Sequence, residues 1–147
     1  MAYTQILYHL VFSTKERRAT LKPSKIPELL RYWYGTLKNL DCRPFQLNAV
    51  SDHAHLLFAL HPSRCLSDLV KTLKVSSNHW IQAQEIFPDF NGWQENYGAF
   101  TLAKRDQPRV EAYIRNQQAH HRERDSLSEF KQLLNLAEIP WDERYLR

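Results

Sequence analysis

His53-Ala54-His55 and, much further along, Tyr113 and Gln117 are the residues of this chain whose types and spacing could do chemistry. Two imidazoles and an amide oxygen can hold a divalent metal ion, and a phenol hydroxyl beside them is an oxygen nucleophile. Such a set suits breaking a phosphodiester through a covalent tyrosine link, with neither water nor a nucleotide cofactor taking part. The chain carries no Walker-type phosphate loop, which agrees with a reaction that conserves bond energy in a tyrosine ester.

Each half of the set also has a plainer reading. Two imidazoles at i, i+2 on a strand can share one ion, or they can be two satisfied histidines with no ligand between them. Tyr113 and Gln117, at i, i+4, are neighbours on one helical face. If that helix packs on the sheet face bearing the histidines, Gln117 adds a third ligand and Tyr113 offers its hydroxyl to a phosphate. Three protein ligands keep positions open for substrate oxygens. The donors fit Mg²⁺ or Mn²⁺ better than structural zinc, which takes a closed shell. Tyr113 taken alone is a core or surface tyrosine like the other tyrosines of the chain.

The elements that must position these groups are read from hydrophobic period. Tyr3 to Phe12 alternates as a strand, with Ile6, Tyr8, Leu10 and Phe12 on one face and Leu7, His9 and Val11 on the other. A basic loop follows. Apolar residues then recur at helical spacing from Ile26 to Leu40, with Ser24 as cap and Pro27 in the first turn. Phe45–Val50 and Ala54–Leu60 form an antiparallel pair joined at Ser51-Asp52. His53 and His55 face one way, and Ala54, Leu56, Phe58 and Leu60 face a core on the other side. A second helix begins near Leu66, with Leu66, Leu69, Val70, Leu73, Ser77, Trp80 and Ile81 on its stripe. Tyr97 to Ala103 is a fourth strand. Asp106 can cap a third helix that carries Tyr113 and Gln117, and the tail holds a short amphipathic helix and the segment PWDERYLR. The order β-α-β-β-α-β, then helices, predicts an α+β, ferredoxin-like antiparallel sheet with two helices on one face. The other face is left open for a ligand or a further helix.

The length of 147 residues fits one domain, residues 1–147. With 43% hydrophobic residues it can bury a core. No apolar run is long enough for a membrane span, and no signal peptide stands at the start, so the expected address is the cytoplasm. Cys42 and Cys65 fit no zinc or disulfide pattern. The first eighty residues hold 11 Lys and Arg against 5 Asp and Glu, and the remainder 9 against 11. A basic first half hints at a polyanion, and a solvated basic face would give the same count. Lys15, Arg17, Arg18, Lys22 and Lys25 form a basic loop region, Lys71 and Lys74 lie on the second helix, and Arg115 stands beside Tyr113. All are candidates to follow a phosphate backbone. Asp52 is expected to point away from the histidine pair. His9, His61 and His79 have no constellation around them, and His120 and His121 read as polar helix-end residues. Trp33 and Trp80 read as core.

At nearly full length the sequence resembles the single-tyrosine HUH transposases of the insertion-sequence-200/605 type and their relatives associated with repetitive extragenic palindromes. The segments YHLVFSTKERR, SDHAHLLFAL, WQENYGAFTLAK, VEAYIRNQQAHH and PWDERYL carry the resemblance in order. Ala54 departs from it, being small where the family has a bulkier apolar residue. The resemblance implies His53 and His55 as the histidine pair, Tyr113 as nucleophile and Gln117 as third metal ligand, with Mg²⁺ or Mn²⁺. It implies single-stranded DNA with hairpin ends as partner, a 5′-phosphotyrosine intermediate with a free 3′-OH, and rejoining to a second strand. It also implies a homodimer in which the tyrosine helix is exchanged between subunits. Two rival readings remain: a hairpin-binding module of the same fold without cleavage, and a metal-dependent hydrolase of small molecules, which would need a deep apolar pocket.

Overall fold

A computed structural model describes residues 1–146. Strands β1 (Leu7–Ser13), β2 (Arg43–Ala49), β3 (His53–Ala59) and β4 (Gly98–Thr101) form one antiparallel sheet in the order β2-β3-β1-β4. This is the expected ferredoxin-like α+β plan. The first strand starts later than alternation suggests, because its ladder ends where Leu7 meets Ala59, and Tyr3 is left exposed.

Helices α1 (Ile26–Asn39) and α2 (Leu66–Gln84) cover one face. They bury Ile26, Leu29, Trp33 and Leu37 from α1, and Leu69, Val70, Leu73, Ser77 and Ile81 from α2. Strands β1 and β3 supply Leu10, Phe12, Ala54, Leu56 and Phe58 to the same cluster, and Leu60 follows β3 into it, so strand period is obeyed on β1 and β3. Trp33 is fully buried, packs edge-on against Phe12 and donates its indole N–H to the Leu73 carbonyl. Truncating such a side chain costs about 3–5 kcal/mol. Trp80 stacks on Tyr32 at the rim of the same layer. Ala54 is fully buried here, opposite Ala49 and Phe12. The two cysteines are free.

Neither expected side-chain cap forms. Lys25 and Asp106 occupy the cap positions of α1 and of α3 (Gln107–Arg115), without a side-chain hydrogen bond, because a 3-10 turn runs directly into each helix. Helix α3 stops at Asn116, and α4 (Gln117–Glu123) starts at the next residue, so Tyr113 and Gln117 straddle a break rather than share one helix.

The second sheet face is covered by α3, α4 and α5 (Ser126–Leu136). Asn48 on β2 donates to the carbonyls of Ile114 and Arg115, while Gln118 donates back to Asn48 Oδ1 and the Ala49 carbonyl. This reciprocal pair pins the α3–α4 junction to the sheet. Helix α5 is capped by Asp125, whose carboxylate accepts from the Ser128 N–H at 2.7 Å. Its Phe130 and Leu134 pack with Val11 and Leu146. Gly98 on β4 makes that seat, since a Cβ there would stand 2.5 Å from Phe130. No helix among the described residues is long and apolar enough to cross a membrane.

Candidate active site

His53 and His55 lie on the face away from α1 and α2, both almost completely buried. Alternation along β3 puts them there, and the covering helices then take them out of water. Each ring is held from behind. Asp52 Oδ1 accepts from His53 Nδ1 at 2.7 Å, and His9 Nε2 lies 2.7 Å from His55 Nδ1. In front, His53 Nε2 reaches Gln117 Oε1 at 3.1 Å. Glu129 Oε1, from α5, accepts from His53 Nε2 at 3.1 Å and from His55 Nε2 at 2.8 Å. With its Nε2–H spent on Glu129, His55 has a bare Nδ1, so His9 is the donor of that pair.

Tyr113 completes the group. Its ring centroid is 5.7 Å from that of His55 and 4.8 Å from that of His120, on which it stacks. Its hydroxyl interacts with the Glu129 carboxylate and the Gln117 amide. The tyrosine, both histidines and the glutamine thus meet within one chain. The exchange of this helix expected from sequence concerns two chains, and in the single chain the helix docks at home.

Burial sets the charge states. It opposes the charge on His53, yet the hydrogen bonds to Asp52 and Glu129 outweigh it and raise the pKa to about 9. Burial lowers His9 to about 3, with repulsion from His55 adding to it, and burial keeps His55 neutral too. For Glu129, burial works toward protonation, but the hydrogen bonds from His53 and His55 hold the carboxyl far below its usual range. Burial and the nearby Glu129 carboxylate raise Tyr113 well above an ordinary phenol. At rest the Tyr113 phenol keeps its proton.

Residues 2–117 match the family described as Transposase IS200 like. The chain belongs to that family of transposases. No curated protein matches it. Among solved structures, a candidate transposase from Deinococcus radiodurans R1 is 25% identical, with a TM-score of 0.61 over 79% of this chain and 93% of that one. A REP-associated tyrosine transposase bound to a REP hairpin gives a TM-score of 0.63 at 15% identity, over 82% of this chain and 72% of that one. The second likeness is one of fold.

For an IS200-like chain the donor set is the test of a metal. Two imidazoles, an amide oxygen and a carboxylate converge, and Gln117 Nε2 is buried without a partner while its Oε1 faces His53. The amide is thus turned oxygen-inward, as a cation requires, and the residues fit a divalent ion.

The structure corrects three sequence expectations. Asp52 turns back to His53 because residues 51 and 52 are a turn, outside the strand alternation used to place it. His9 has a constellation after all. His121 approaches the site from α4, its ring 5.6 Å from that of His53. Glu129 was missed altogether.

The basic candidates separate. Lys15, Lys71 and Lys74 line one cleft of about 580 Å³ with Asn78 and Trp93. Lys74 itself donates to the carbonyls of Gln94, Glu95 and Asn96, and burial lowers its pKa to about 8, so it serves as a loop staple. Arg17 donates to Ser126 Oγ and the Leu146 carbonyl, tying the tail down rather than facing solvent. Arg18 pairs with Glu16 at 3.0 Å and Lys25 with Glu28 at 3.9 Å. Lys22 and Arg115 are exposed. A second cavity, about 440 Å³, opens onto Tyr113 and Glu129 between α4 and α5, lined by His120, Arg124, Gln132 and Leu133.

Proposed function

We propose that residues 1–147 form one HUH tyrosine transposase domain that cleaves and rejoins single-stranded DNA at hairpin-marked ends. The observation that carries this is the meeting of Tyr113 with His53, His55 and Gln117 on one sheet face. A divalent ion held by the two histidines and Gln117, Mg²⁺ or Mn²⁺, supplies Lewis-acid polarisation of the scissile phosphate.

The residues do the rest. Asp52 and His9 fix the two imidazole rings, so that both Nε2 atoms face the same point. The Tyr113 oxygen attacks phosphorus. A bond from that oxygen to phosphorus forms, the bond from phosphorus to the 3′ oxygen breaks, and the phenol proton passes in net to the departing 3′-OH. A 5′-phosphotyrosine remains, and a second strand's 3′-OH reverses the step and rejoins the DNA. The cavity beside Tyr113, with Arg124 on its wall, suits a strand entering from α4 and α5. Lys15 and Lys71 offer a separate basic cleft for the hairpin, a partner supported by the hairpin-bound relative of the same fold. Our reading has the tyrosine acting in cis, which the bonds that tie its helix to Asn48 in the single chain support. A homodimer then pairs two complete sites, and the exchanged dimer is the alternative. In this reading the protein works in the cytoplasm.

The test is a denaturing gel. With hairpin-ended single-stranded DNA and Mn²⁺ or Mg²⁺, the protein should form a covalent adduct that Tyr113→Phe abolishes while hairpin binding persists. An adduct formed by Tyr113→Phe would overturn the assignment.

A further inference from the structure

Resting on the metal reading above, we propose that Glu129 is itself a ligand of the divalent ion, supplied by α5 of the same chain beside His53, His55 and Gln117.

The distances carry the argument. A six-coordinate Mg²⁺ or Mn²⁺ with bonds of about 2.1 Å sets neighbouring donors about 3 Å apart. Gln117 Oε1 lies 3.1 Å from His53 Nε2, and Glu129 Oε1 lies 3.1 Å from His53 Nε2 and 2.8 Å from His55 Nε2. A single carboxylate oxygen stands at donor spacing from both histidines at once. An ion pair with His53 alone would not require the second approach. Four protein donors leave two of six positions for substrate oxygens.

Charge points the same way. Glu129 is 5% exposed, and a carboxylate so far from water needs compensation. A divalent cation supplies it, and a hard oxygen donor suits Mg²⁺ or Mn²⁺.

The chain also builds a seat for this one side chain. Ser126, Phe130 and Leu134 fall on the buried stripe of α5, and Glu129 occupies that stripe where a leucine would be ordinary. Gly98 clears room for Phe130. Arg17 holds Ser126, and Ser126 Oγ donates to Asp52 Oδ2, the residue that orients His53. The first turn of α5, one turn before Glu129, is thereby tied to Asp52.

The experiment is metal binding by the full chain stripped with chelator, read as loss of the free Mn²⁺ paramagnetic signal and by calorimetry. The wild type should bind one Mn²⁺. Glu129→Gln and Glu129→Ala should weaken it more than about 100-fold, above the roughly 10–100-fold cost of losing an outer hydrogen-bond partner. Glu129→Asp, which keeps the charge, should recover part of the loss. Phe130→Leu, which loosens α5 but leaves the carboxylate, should cost less than Glu129→Ala. Bound Co²⁺ should change its visible absorption between wild type and Glu129→Gln, a readout that a purely structural role would leave unmoved. Melting of the stripped variants checks their folding, and the Asp and Leu variants keep the comparison alive if the Ala variant unfolds. If Glu129→Gln binds Mn²⁺ as tightly as wild type, or more tightly, while His55→Ala loses it, the carboxylate only neutralises the histidines and the proposal falls, with the metal site intact. If wild type binds no Mn²⁺, or His55→Ala binds it equally, the metal reading falls and this proposal with it.

Discussion

The two faces of the sheet use the same strands for opposite ends. Under α1 and α2, Leu10, Phe12, Leu56, Phe58, Trp33 and Leu73 form an apolar cluster, with the Lys74 ammonium over the Phe12 ring at its edge. On the other face, His9, His53 and His55 take Gln117 and Glu129 into a network of directional bonds. The first face gains from burial in proportion to area, whatever the detailed contacts. The second gains little net stability from its polar contacts, because desolvation offsets them. Most of the apolar core lies on one face and the candidate site on the other.

The largest expected effect tests that division. Trp33→Ala should lower unfolding stability by about 3–5 kcal/mol. Replacing His53 and Glu129 together by Leu and Met should change stability far less, since apolar groups of similar volume often replace buried ion pairs without loss. Urea unfolding of both variants measures it. A double variant as unstable as Trp33→Ala would break the comparison and make the site a structural keystone.

A smaller effect sharpens it, in chelated protein as pH is varied. His53 has its pKa raised from 6.5 to about 9. Its contribution is fully present below pH 6.5 and is lost as pH rises through about 9. His9, lowered from 6.5 to about 3, and His55, also lowered, act in the opposite sense. Their contributions are present above pH 6.5 and are lost as pH falls. Glu129, held below 4.5, loses its contribution on acidification too. Melting temperature should therefore decline on both sides of about pH 6.5, and His53→Gln should flatten the alkaline side. Trp33→Leu, on the apolar face, should lower the whole curve and keep its shape. An alkaline decline unchanged in His53→Gln would show that the pair with Asp52 and Glu129 contributes nothing.

How far the sequence could be read also differs between the faces. Alternation along residues 54–60 and the stripe from Leu66 to Ile81 place the apolar face residue by residue, because burial imposes period and period is local. The same alternation puts His53 and His55 on the reverse side. Motif spacing adds Tyr113 and Gln117, although the helix break at Asn116 is not visible in it. Glu129 was out of reach for another reason. Its place depends on where the tail docks, a long-range contact made by Phe130 against Gly98 and Val11. Its local signal was a charged residue on an amphipathic stripe. His9 needed only the pairing of β1 with β3, which sets it diagonally across from His55.

The smallest expected effect is none at all, and it concerns whose sheet the tyrosine helix serves. Asn48 and Gln118 bond reciprocally across the α3–α4 junction, and Glu129 approaches the histidines from the same side. Exchange between two copies would have to break these contacts and remake them on the partner. Mixing His55→Ala with Tyr113→Phe, under conditions that let subunits exchange, separates the cases. In an exchanged dimer, the histidines of one chain meet the tyrosine of the other, so each mixed dimer regains one intact site. In the unexchanged arrangement every site in the mixture lacks either its histidine or its nucleophile. No recovered cleavage is expected, with mixed dimers verified by tagged pull-down and each parent inactive alone. Returned adduct, traced by size to the His55→Ala chain, would mean that the helix acts across the dimer. The pins at Asn48 would then belong to a resting state and not to the one that cuts.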